Sequence, residues 1–297
     1  MNVTRNFSDL TALITGATGG VGFEIAAGLV RGGANVVVAG RSPERGRRLL
    51  ERLRPLAPRP ESFSGTLLSL DLADFATIRA AAATLRSGPP IDFFVLNAGL
   101  IRLMQGRRQV TVDGFEVHLQ VNFLGHYLLV QQLMPQLRQW QTGVVVQSSL
   151  VALSGRPRWA DLQGQRRYWS GHAYAQSKLA LSLWAANMAA SGAQPRAAVV
   201  HPGVVPDTGV APAVRRLAPA GLVTRLGSLL ANSPEVGAEP ALAALAAGVP
   251  NGSYFRPAGW GGIRGGAVAA PMPERFLQPS LTRGLLRHVD GLLVQSV

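Results

Sequence analysis

The sequence contains no cysteine, which excludes disulfide bonds, zinc–thiolate sites and a thiol nucleophile. It also has no apolar run near the roughly 20 residues that a membrane-spanning helix requires. Its first ten residues lack the apolar core of a signal peptide. We therefore expect a cytoplasmic protein without a transmembrane anchor. None of the five histidines forms an H-E-x-x-H pattern, so we expect no metal site.

Acidic residues are also scarce, with 16 Asp and Glu against 29 Lys and Arg and a net charge of +13. Such an excess of cations raises the question of a nucleic-acid or anionic-membrane partner. However, the arginines are scattered, and their densest cluster, residues 41–59, reads as one amphipathic helix. No zinc finger, RNA-recognition motif or basic zipper is present. We expect no nucleic-acid partner, and we interpret the charge as an Arg-rich surface around a pocket for an anionic cofactor.

What the sequence does have is an alternation of short apolar runs and longer helical segments, which is typical of βαβ units. A long helix is predicted over residues 113–137, ending near Pro135, and a final helix around 280–294. The predicted fold is a single-domain α/β, doubly wound (Rossmann-type) sheet of about seven mainly parallel strands with helices on both faces. The apolar runs predict strands over 10–15, 34–40, 65–71, 91–97, 142–149, 195–201 and 252–257.

A glycine-rich turn, "TGATGGVG" at residues 15–22, follows the first predicted strand and opens a helix. Gly16, Gly20 and Gly22 let the backbone turn tightly and approach a pyrophosphate, which then faces the helix N-terminus. The alternative is a purely structural turn, because the spacing differs from the G-x-G-x-x-G fingerprint. We interpret the turn as a nucleotide site.

The end of the second strand favours NADP over NAD. An acidic residue at this point binds the ribose 2′-hydroxyl of NAD. Here Gly40 takes that position, and Arg41 follows it. Because a guanidinium can bind a 2′-phosphate, we interpret Arg41 as a phosphate ligand, although a solvated surface arginine is the alternative.

Over about residues 8–256 the chain resembles the short-chain dehydrogenase/reductase family, and within it the retinol-dehydrogenase-like branch. The resemblance rests on short motifs that occur in the family's order. These are "TGATGGVG", "LDLADFATIRA" (70–80), "LNAG" (96–99), "DGFEVHLQVNFLGHYLLV" (113–130), "VVVQSS" (144–149), "YAQSK" (174–178) and "HPGVV" (201–205). The resemblance implies one dinucleotide-binding oxidoreductase domain over residues 1–297, with a substrate loop in 204–234 and a C-terminal extension over 257–297. It also implies a homodimer or homotetramer.

The resemblance implies an NADP(H) site and a set of catalytic residues. The residues implied to bind the cofactor are Gly16, Thr18, Gly19, Gly20, Val21, Gly22, Arg41, Asp71, Leu72, Asn97, Ala98, Gly99, Tyr174, Lys178, Pro202, Gly203 and Val205. The residues implied to be catalytic are Asn122, Ser149, Tyr174 and Lys178.

The sequence departs from the retinol-dehydrogenase-like pattern at three points. We expect it to lack the N-terminal membrane anchor of that branch, and Gly19 stands where Ser or Thr is common. Asp207 stands where a nicotinamide-facing Thr is often found, and Thr208 comes one place later.

Tyr174 and Lys178 are four residues apart, so a helix places them on one face. Alone, this spacing also fits an exposed pair. With the other motifs, it indicates a phenol that acts as general acid in carbonyl reduction and as general base in alcohol oxidation. A cation within roughly 4–6 Å favours the phenolate, so we expect Lys178 to lower the pKa of Tyr174.

One serine is expected to bind the substrate oxygen, and Ser148 is the rival of Ser149. Strand alternation sends the two to opposite faces, and the family resemblance selects Ser149. The resemblance implies that Asn122 lies in a local helix distortion and holds a water that relays protons to Lys178. Three aromatic residues precede Tyr174 and either line an apolar pocket or cover a core: Trp159, Tyr168 and Trp169. The sequence thus predicts an NADP(H)-dependent oxidoreductase acting on a small, lipophilic alcohol or carbonyl substrate; the alternative is a catalytically silent NADP-binding regulator.

Overall fold

A computed structural model of the chain describes residues 6–103, 106–192, 195–205 and 231–294, and the structural statements below concern these residues. It contains one eight-stranded sheet. The strands are β1 (Thr11–Thr15), β2 (Asn35–Gly40), β3 (Gly65–Ser69), β4 (Phe93–Leu96), β5 (Gly143–Gln147), β6 (Arg196–Val200), β7 (Ser253–Pro257) and β8 (Ala267–Ala270).

Seven helices of more than two turns flank this sheet in the described ranges. They are α1 (Gly20–Arg31), α2 (Pro43–Leu53), α3 (Phe75–Arg86), α4 (Gly125–Gln139), α5 (Ser170–Ala190), α6 (Pro234–Ala246) and α7 (Pro279–Val294). Shorter helical pieces are Arg54–Leu56, Val117–Leu119, Gln120–Leu124, Val151–Ser154, Trp159–Asp161, Trp260–Gly262 and Glu274–Leu277. No helix in these ranges combines the length and the apolarity that crossing a bilayer requires.

The strand order is β3-β2-β1-β4-β5-β6-β7-β8. Strands β1 to β7 pair in parallel, and β8 pairs antiparallel with β7. The order reverses between β1 and β4, so the predicted doubly wound sheet is confirmed. Its switch point lies where the carboxyl ends of β1 and β4 part, which is the place where such sheets bind ligands.

The core lies in two layers because consecutive strand residues point to opposite faces of the sheet. Leu13 and Val144 pack with the helices α3, α4 and α5 on one face. Their neighbours Ile14 and Val145 pack with α1 and α6 on the other. Both faces of the central strands are therefore buried, which explains their continuous apolar sequences.

Helix α5 is buried around nearly its whole circumference, because α7, the Val151–Ser154 turn and the Glu274–Leu277 turn pack against it. Polar residues of α5 are consequently buried too, among them Ser177, Lys178 and Ser182. The C-terminal extension thus contributes directly to the burial of the helix that carries the predicted catalytic residues.

The long helix differs from its prediction at both ends. Its first turn begins at Val117, a π-helical segment spans Gln120–Leu124, and α4 continues past Pro135 to Gln139. Proline removes only one N–H donor from a helix. Pro135 lies on the exposed face, where solvent can hydrate the carbonyl that loses its partner. The prediction that the helix ends near Pro135 is therefore wrong.

The sheet has one strand more than the seven that the sequence indicates. Strand β8 has the sequence AVAA and follows a Gly-rich loop in the C-terminal extension. Four small residues show no alternation, so pairing with β7 is what makes this segment a strand.

Candidate active site

A cavity of about 1660 Å³ opens at the carboxyl ends of β1, β4, β5 and β6. Residues from separate sequence motifs meet there because parallel strands end at the same edge of the sheet. Of the sequence-predicted site residues, Asn122 alone is absent from its wall. The wall includes Gly16, Thr18, Gly19, Gly20, Val21, Gly22, Arg41, Asp71, Leu72, Asn97, Ala98, Gly99, Ser149, Tyr174, Lys178, Pro202, Gly203 and Val205.

The glycine-rich turn is fitted closely to the end of β4. Gly16 has a φ of 70°, which favours glycine. A Cβ on Gly22 would stand 2.3 Å from the Gly16 oxygen and 2.5 Å from Asn97 Nδ2. The Asn97 amide donates hydrogen bonds to the carbonyls of Thr15 and Gly16, at 3.0 and 3.2 Å. The helix that follows has no acidic residue in its first turn, so its N-terminus suits an anion.

The end of β2 presents cations and open space to the cavity. A Cβ on Gly40 would meet no atom within 4 Å. Arg41 is exposed, and Ser42 and Arg45 line the same part of the wall. Ser42 is also the N-cap of α2 and accepts the N–H of Arg45 at 3.3 Å. Arg45 is thus a second cation that the sequence motif alone did not single out.

Tyr174, Ser149 and Lys178 meet at the centre of the cavity. The side chains of Tyr174 and Ser149 are hydrogen-bonded to each other. Lys178 Nζ donates to the carbonyl of Gln147 at 2.8 Å. The Ser148 hydroxyl instead shares a 2.6 Å hydrogen bond with that of Ser182.

Burial controls the titration of both catalytic candidates. It raises the pKa of Tyr174 above its ordinary value of 10, and the hydrogen bond with Ser149 offsets only part of that rise. It lowers the pKa of Lys178 to about 8. The prediction that Lys178 depresses the pKa of Tyr174 is therefore wrong for this structure, because desolvation disfavours the phenolate more than its neighbours stabilise it.

Asn122 lies behind the cavity wall, inside the π-helical segment. The helix distortion that the family resemblance implies is therefore present. The Asn122 side chain accepts the N–H of Leu100 at 2.6 Å and donates to the Leu100 carbonyl at 3.1 Å and to Ser177 Oγ at 2.9 Å. A Cβ on Gly99 would stand 3.2 Å from Lys178 Nζ and 3.6 Å from Asn122 Oδ1. Asn122 thus holds the chain that follows β4, and a side chain at Gly99 would press on the end of Lys178.

The turn after β6 is held by residues that the sequence did not single out. Asn232 Nδ2 donates to the Pro202 carbonyl at 2.9 Å, and the Val204 N–H donates to the Ile263 carbonyl at 2.9 Å. His201 is buried and accepts the Gly203 N–H at 3.1 Å. Asp207 and Thr208 lie outside the described residues, as does most of the predicted substrate loop.

The three aromatic residues of the spacer between Ser149 and Tyr174 have different roles. Trp169 lines the cavity and is 69% exposed. Tyr168 donates a hydrogen bond to Glu116 at 3.1 Å. Trp159 stacks on His288 and covers α7 at Gly284. One of them therefore walls the pocket, and the other two anchor the spacer.

A buried carboxylate, Glu116, lies behind Tyr174 and was not predicted. It accepts hydrogen bonds from His118 Nδ1 at 2.8 Å, from the Leu119 N–H at 2.7 Å and from Tyr168. His118 Nε2 accepts the N–H of Arg102, which places the ring proton on Nδ1. The His118 ring packs edge-on against Tyr174, with 6.2 Å between centroids. The cluster joins the cavity loop at 100–103 to the spacer.

Glu116→Gln is expected to cost about 3 kcal/mol of stability at neutral pH, because all three neighbours of the carboxylate are donors. Burial alone raises the pKa of Glu116, but the hydrogen bonds of His118 and Leu119 bring it below its ordinary value of 4.5. The stabilisation is therefore fully present above about pH 4.5 and is lost as pH falls through the lower folded pKa. Urea unfolding of both proteins at pH 7 and at pH 3–5 measures the gap.

The matched control is Tyr168→Phe, which removes one donor and leaves the carboxylate in place. It is expected to cost about 1 kcal/mol. Equal stability of wild type and Glu116→Gln at pH 7 would show that the buried carboxylate contributes nothing.

Comparison with known proteins agrees with this geometry. The family model described as short chain dehydrogenase matches residues 10–217. The chain is 39% identical to mouse polyprenol dehydrogenase over 251 residues, covering 80% of this chain and 71% of that protein. It is 38% identical to mouse retinol dehydrogenase 12 over 197 residues, which is 65% of this chain and 60% of that enzyme's length. The NADP active-site complex of RhlG from Pseudomonas aeruginosa has a TM-score of 0.65 at 25% identity, covering 86% and 96% of the two chains.

Proposed function

This chain belongs to the short-chain dehydrogenase family, in its retinol-dehydrogenase-like branch, and from that premise we propose that it is an NADP(H)-dependent oxidoreductase. It interconverts an alcohol and a carbonyl, aldehyde or ketone, of lipophilic character. The observation that carries the proposal is the meeting of Ser149, Tyr174 and Lys178 in a cavity that begins at the glycine-rich turn.

The residues of the cavity suit a nicotinamide cofactor. The turn at Gly22 leaves no room for a side chain, the backbone at Gly99 lies close to Lys178, and the N-terminus of α1 is open to a pyrophosphate. When bound, the nicotinamide supplies or accepts the hydride. Lys178 holds its ribose in this proposal, and the residues 97–99 lie beside the adenosine ribose.

Ser149 and Tyr174 handle the substrate oxygen. Ser149 binds and orients that oxygen, and Tyr174 gives it a proton in reduction or takes one in oxidation. The raised pKa of Tyr174 keeps the phenol protonated at neutral pH, which is the form that reduction needs. Asn122 acts as a positioning residue, since it holds Leu100 and Ser177 on either side of the reaction centre.

Charge at the end of β2 supports NADP(H) over NAD(H). No acid is present there to bind a ribose 2′-hydroxyl, whereas Arg41 and Arg45 both line the wall. A solved relative of similar fold carries NADP.

A lipophilic substrate is supported by the wall beyond Tyr174 and by the names of the relatives. That wall includes Leu100, Ile101, Leu103, Leu150, Val151 and Trp169. Relatives of this chain are named polyprenol dehydrogenase and retinol dehydrogenase. Four further expectations stay predictions. They are a substrate loop in 204–234, one domain over 1–297, a cytoplasmic location, and a homodimer or homotetramer.

A substrate panel with NADPH absorbance as the readout tests this function. We expect turnover of long-chain or polyene aldehydes or ketones and no consumption of NADPH without substrate. Protein that binds NADPH but reduces nothing across a broad panel is the catalytically silent regulator instead. Retention of DNA with a steep salt dependence would point to a nucleic-acid role.

A further inference from the structure

His126 lies one helical turn after Asn122 and is fully buried behind the cavity. From the sequence it is a histidine without a metal motif. In the structure both ring nitrogens are engaged. Nε2 lies 3.0 Å from Thr15 Oγ1 at the end of β1, and Nδ1 lies 3.3 Å from the Asn122 carbonyl.

The direction of each hydrogen bond in this group is determined. A carbonyl oxygen only accepts, so His126 Nδ1 carries the ring proton and donates it to Asn122. Thr15 Oγ1 accepts the N–H groups of Asn97 and Ala98, both at 3.0 Å, which uses its two lone pairs. Its hydroxyl proton is therefore donated to His126 Nε2, which is nearer than the Val95 carbonyl at 3.4 Å.

The ring stays uncharged in this position. The pKa of His126 is lowered to about 3, mainly by burial; the hydrogen bond to the Asn122 carbonyl acts against this shift, and the positive charge of Lys178 acts with it. A second proton on Nε2 would also face a hydroxyl that has no free lone pair. The hydrogen-bond chain therefore keeps one arrangement across the pH range in which the enzyme works.

The two ends of this chain lead to different parts of the site. On the Nε2 side, Thr15 holds Asn97 and Ala98, which line the predicted cofactor end of the cavity. On the Nδ1 side, Asn122 donates to Ser177 Oγ at 2.9 Å, and Ser177 donates to the Tyr174 carbonyl at 2.8 Å. The His126 ring thus joins the end of β4 to the backbone at Tyr174 through hydrogen bonds at both of its nitrogens.

We propose that His126 is a positioning residue with two separable tasks. Its Nε2 orients the strand ends that bind the cofactor, and its Nδ1 fixes the π-helical segment that holds Asn122 and, through Ser177, Tyr174. The inference rests on the proposed function for its turnover readout, whereas its cofactor-binding readout is independent of turnover.

Two amide substitutions separate these tasks, because each amide replaces one ring nitrogen. In His126→Asn the short side chain keeps a donor near the position of Nδ1 and loses the acceptor for Thr15. We expect its NADPH Kd to rise about tenfold, with kcat near the wild-type value. In His126→Gln the longer side chain keeps an acceptor near the position of Nε2. We expect kcat to fall about tenfold, with the NADPH Kd near that of wild type.

Thr15 provides the matched check on the cofactor side. Thr15→Val removes the hydroxyl and also leaves the Asn97 and Ala98 N–H groups without this acceptor, so it is expected to weaken NADPH binding more than His126→Asn does. Adding His126→Asn to Thr15→Val weakens binding little further, because the hydrogen bond between the two side chains is already lost. Thr15→Ser retains the hydroxyl and is expected to weaken binding less than Thr15→Val. The thermal midpoint of unfolding of each variant identifies a protein that fails to fold. If a His126 variant fails, Thr15→Val and Thr15→Ser still test whether the Thr15 hydroxyl supports NADPH binding.

A purely structural histidine predicts a different result. In both amide variants the NADPH Kd would then rise and kcat would fall in the same proportion, or neither quantity would change. Either result overturns the proposal. If wild-type protein shows no turnover, the proposed function fails, and the NADPH Kd alone decides this inference. A Kd that rises in His126→Asn but not in His126→Gln supports it, and equal values overturn it.

Discussion

Tyr174→Phe is expected to reduce kcat by about 10²–10⁴-fold while NADPH still binds with nearly wild-type affinity. The substitution removes the phenolic proton and keeps the ring, which is buried in the wall of the cavity. It also removes the hydrogen bond with Ser149, so the substrate oxygen loses its proton donor and part of its orientation together. The measurement is the steady-state rate with the best substrate of the panel, together with the NADPH dissociation constant.

Lys178→Ala is the informative control for this prediction. Lys178 lines the same cavity and reaches the carbonyl at the end of β5, so we expect its loss to lower both kcat and NADPH affinity. Tyr174→Phe should affect kcat alone. Near wild-type turnover in Tyr174→Phe would mean that another group donates the proton and that the mechanism proposed here is wrong.

The position of the site was predictable from the sequence because it follows from topology. Short apolar runs alternating with helices require a parallel sheet, and a parallel sheet brings the ends of its strands to one edge. The glycine-rich turn and the residues 97–99 therefore had to meet. The two-residue period of a strand separated Ser148 from Ser149, but the choice of Ser149 came from the family resemblance.

The titration of the site was not predictable, because burial depends on distant parts of the chain. The four-residue spacing of Tyr174 and Lys178 indicated a phenol whose pKa is lowered by a cation. In the structure, α7 and the Glu274–Leu277 turn cover α5, and burial shifts both groups toward their uncharged forms. No sequence motif in the C-terminal extension indicated that it covers α5.

The polar residues behind the cavity were also beyond the sequence pattern. Thr15 and His126 are 111 residues apart, and Tyr168 and Glu116 are 52 residues apart. Neither pair has a spacing that any local rule recognises. The π-helical segment at Asn122 was foreseen only through the family resemblance, since no propensity rule separates it from an ordinary helix.

The arginines at the end of β2 are expected to determine the preference between NADPH and NADH. We expect wild-type protein to bind NADPH about 10–100-fold more tightly than NADH, because a charge-assisted hydrogen bond contributes about 1.5–3 kcal/mol and each 1.4 kcal/mol is tenfold in affinity. Arg41→Ala should remove most of this preference by weakening NADPH, while the NADH dissociation constant stays the same. Arg45 lines the same wall, so the double substitution of Arg41 and Arg45 by Ala should remove the rest.

Gly40 allows the reverse experiment, because a side chain added there meets no atom within 4 Å. Gly40→Asp can therefore introduce the missing acid without displacing the turn, and Gly40→Ala is its matched control. With Arg41→Ala in the background, Gly40→Asp should bind the ribose 2′-hydroxyl of NADH and repel a 2′-phosphate, so the preference turns toward NADH. Dissociation constants for both cofactors are compared at one fixed salt concentration, since the arginine contribution is screened by salt. Equal wild-type affinities for NADPH and NADH would falsify the assignment of Arg41 and leave the roles of Tyr174 and Lys178 unaffected.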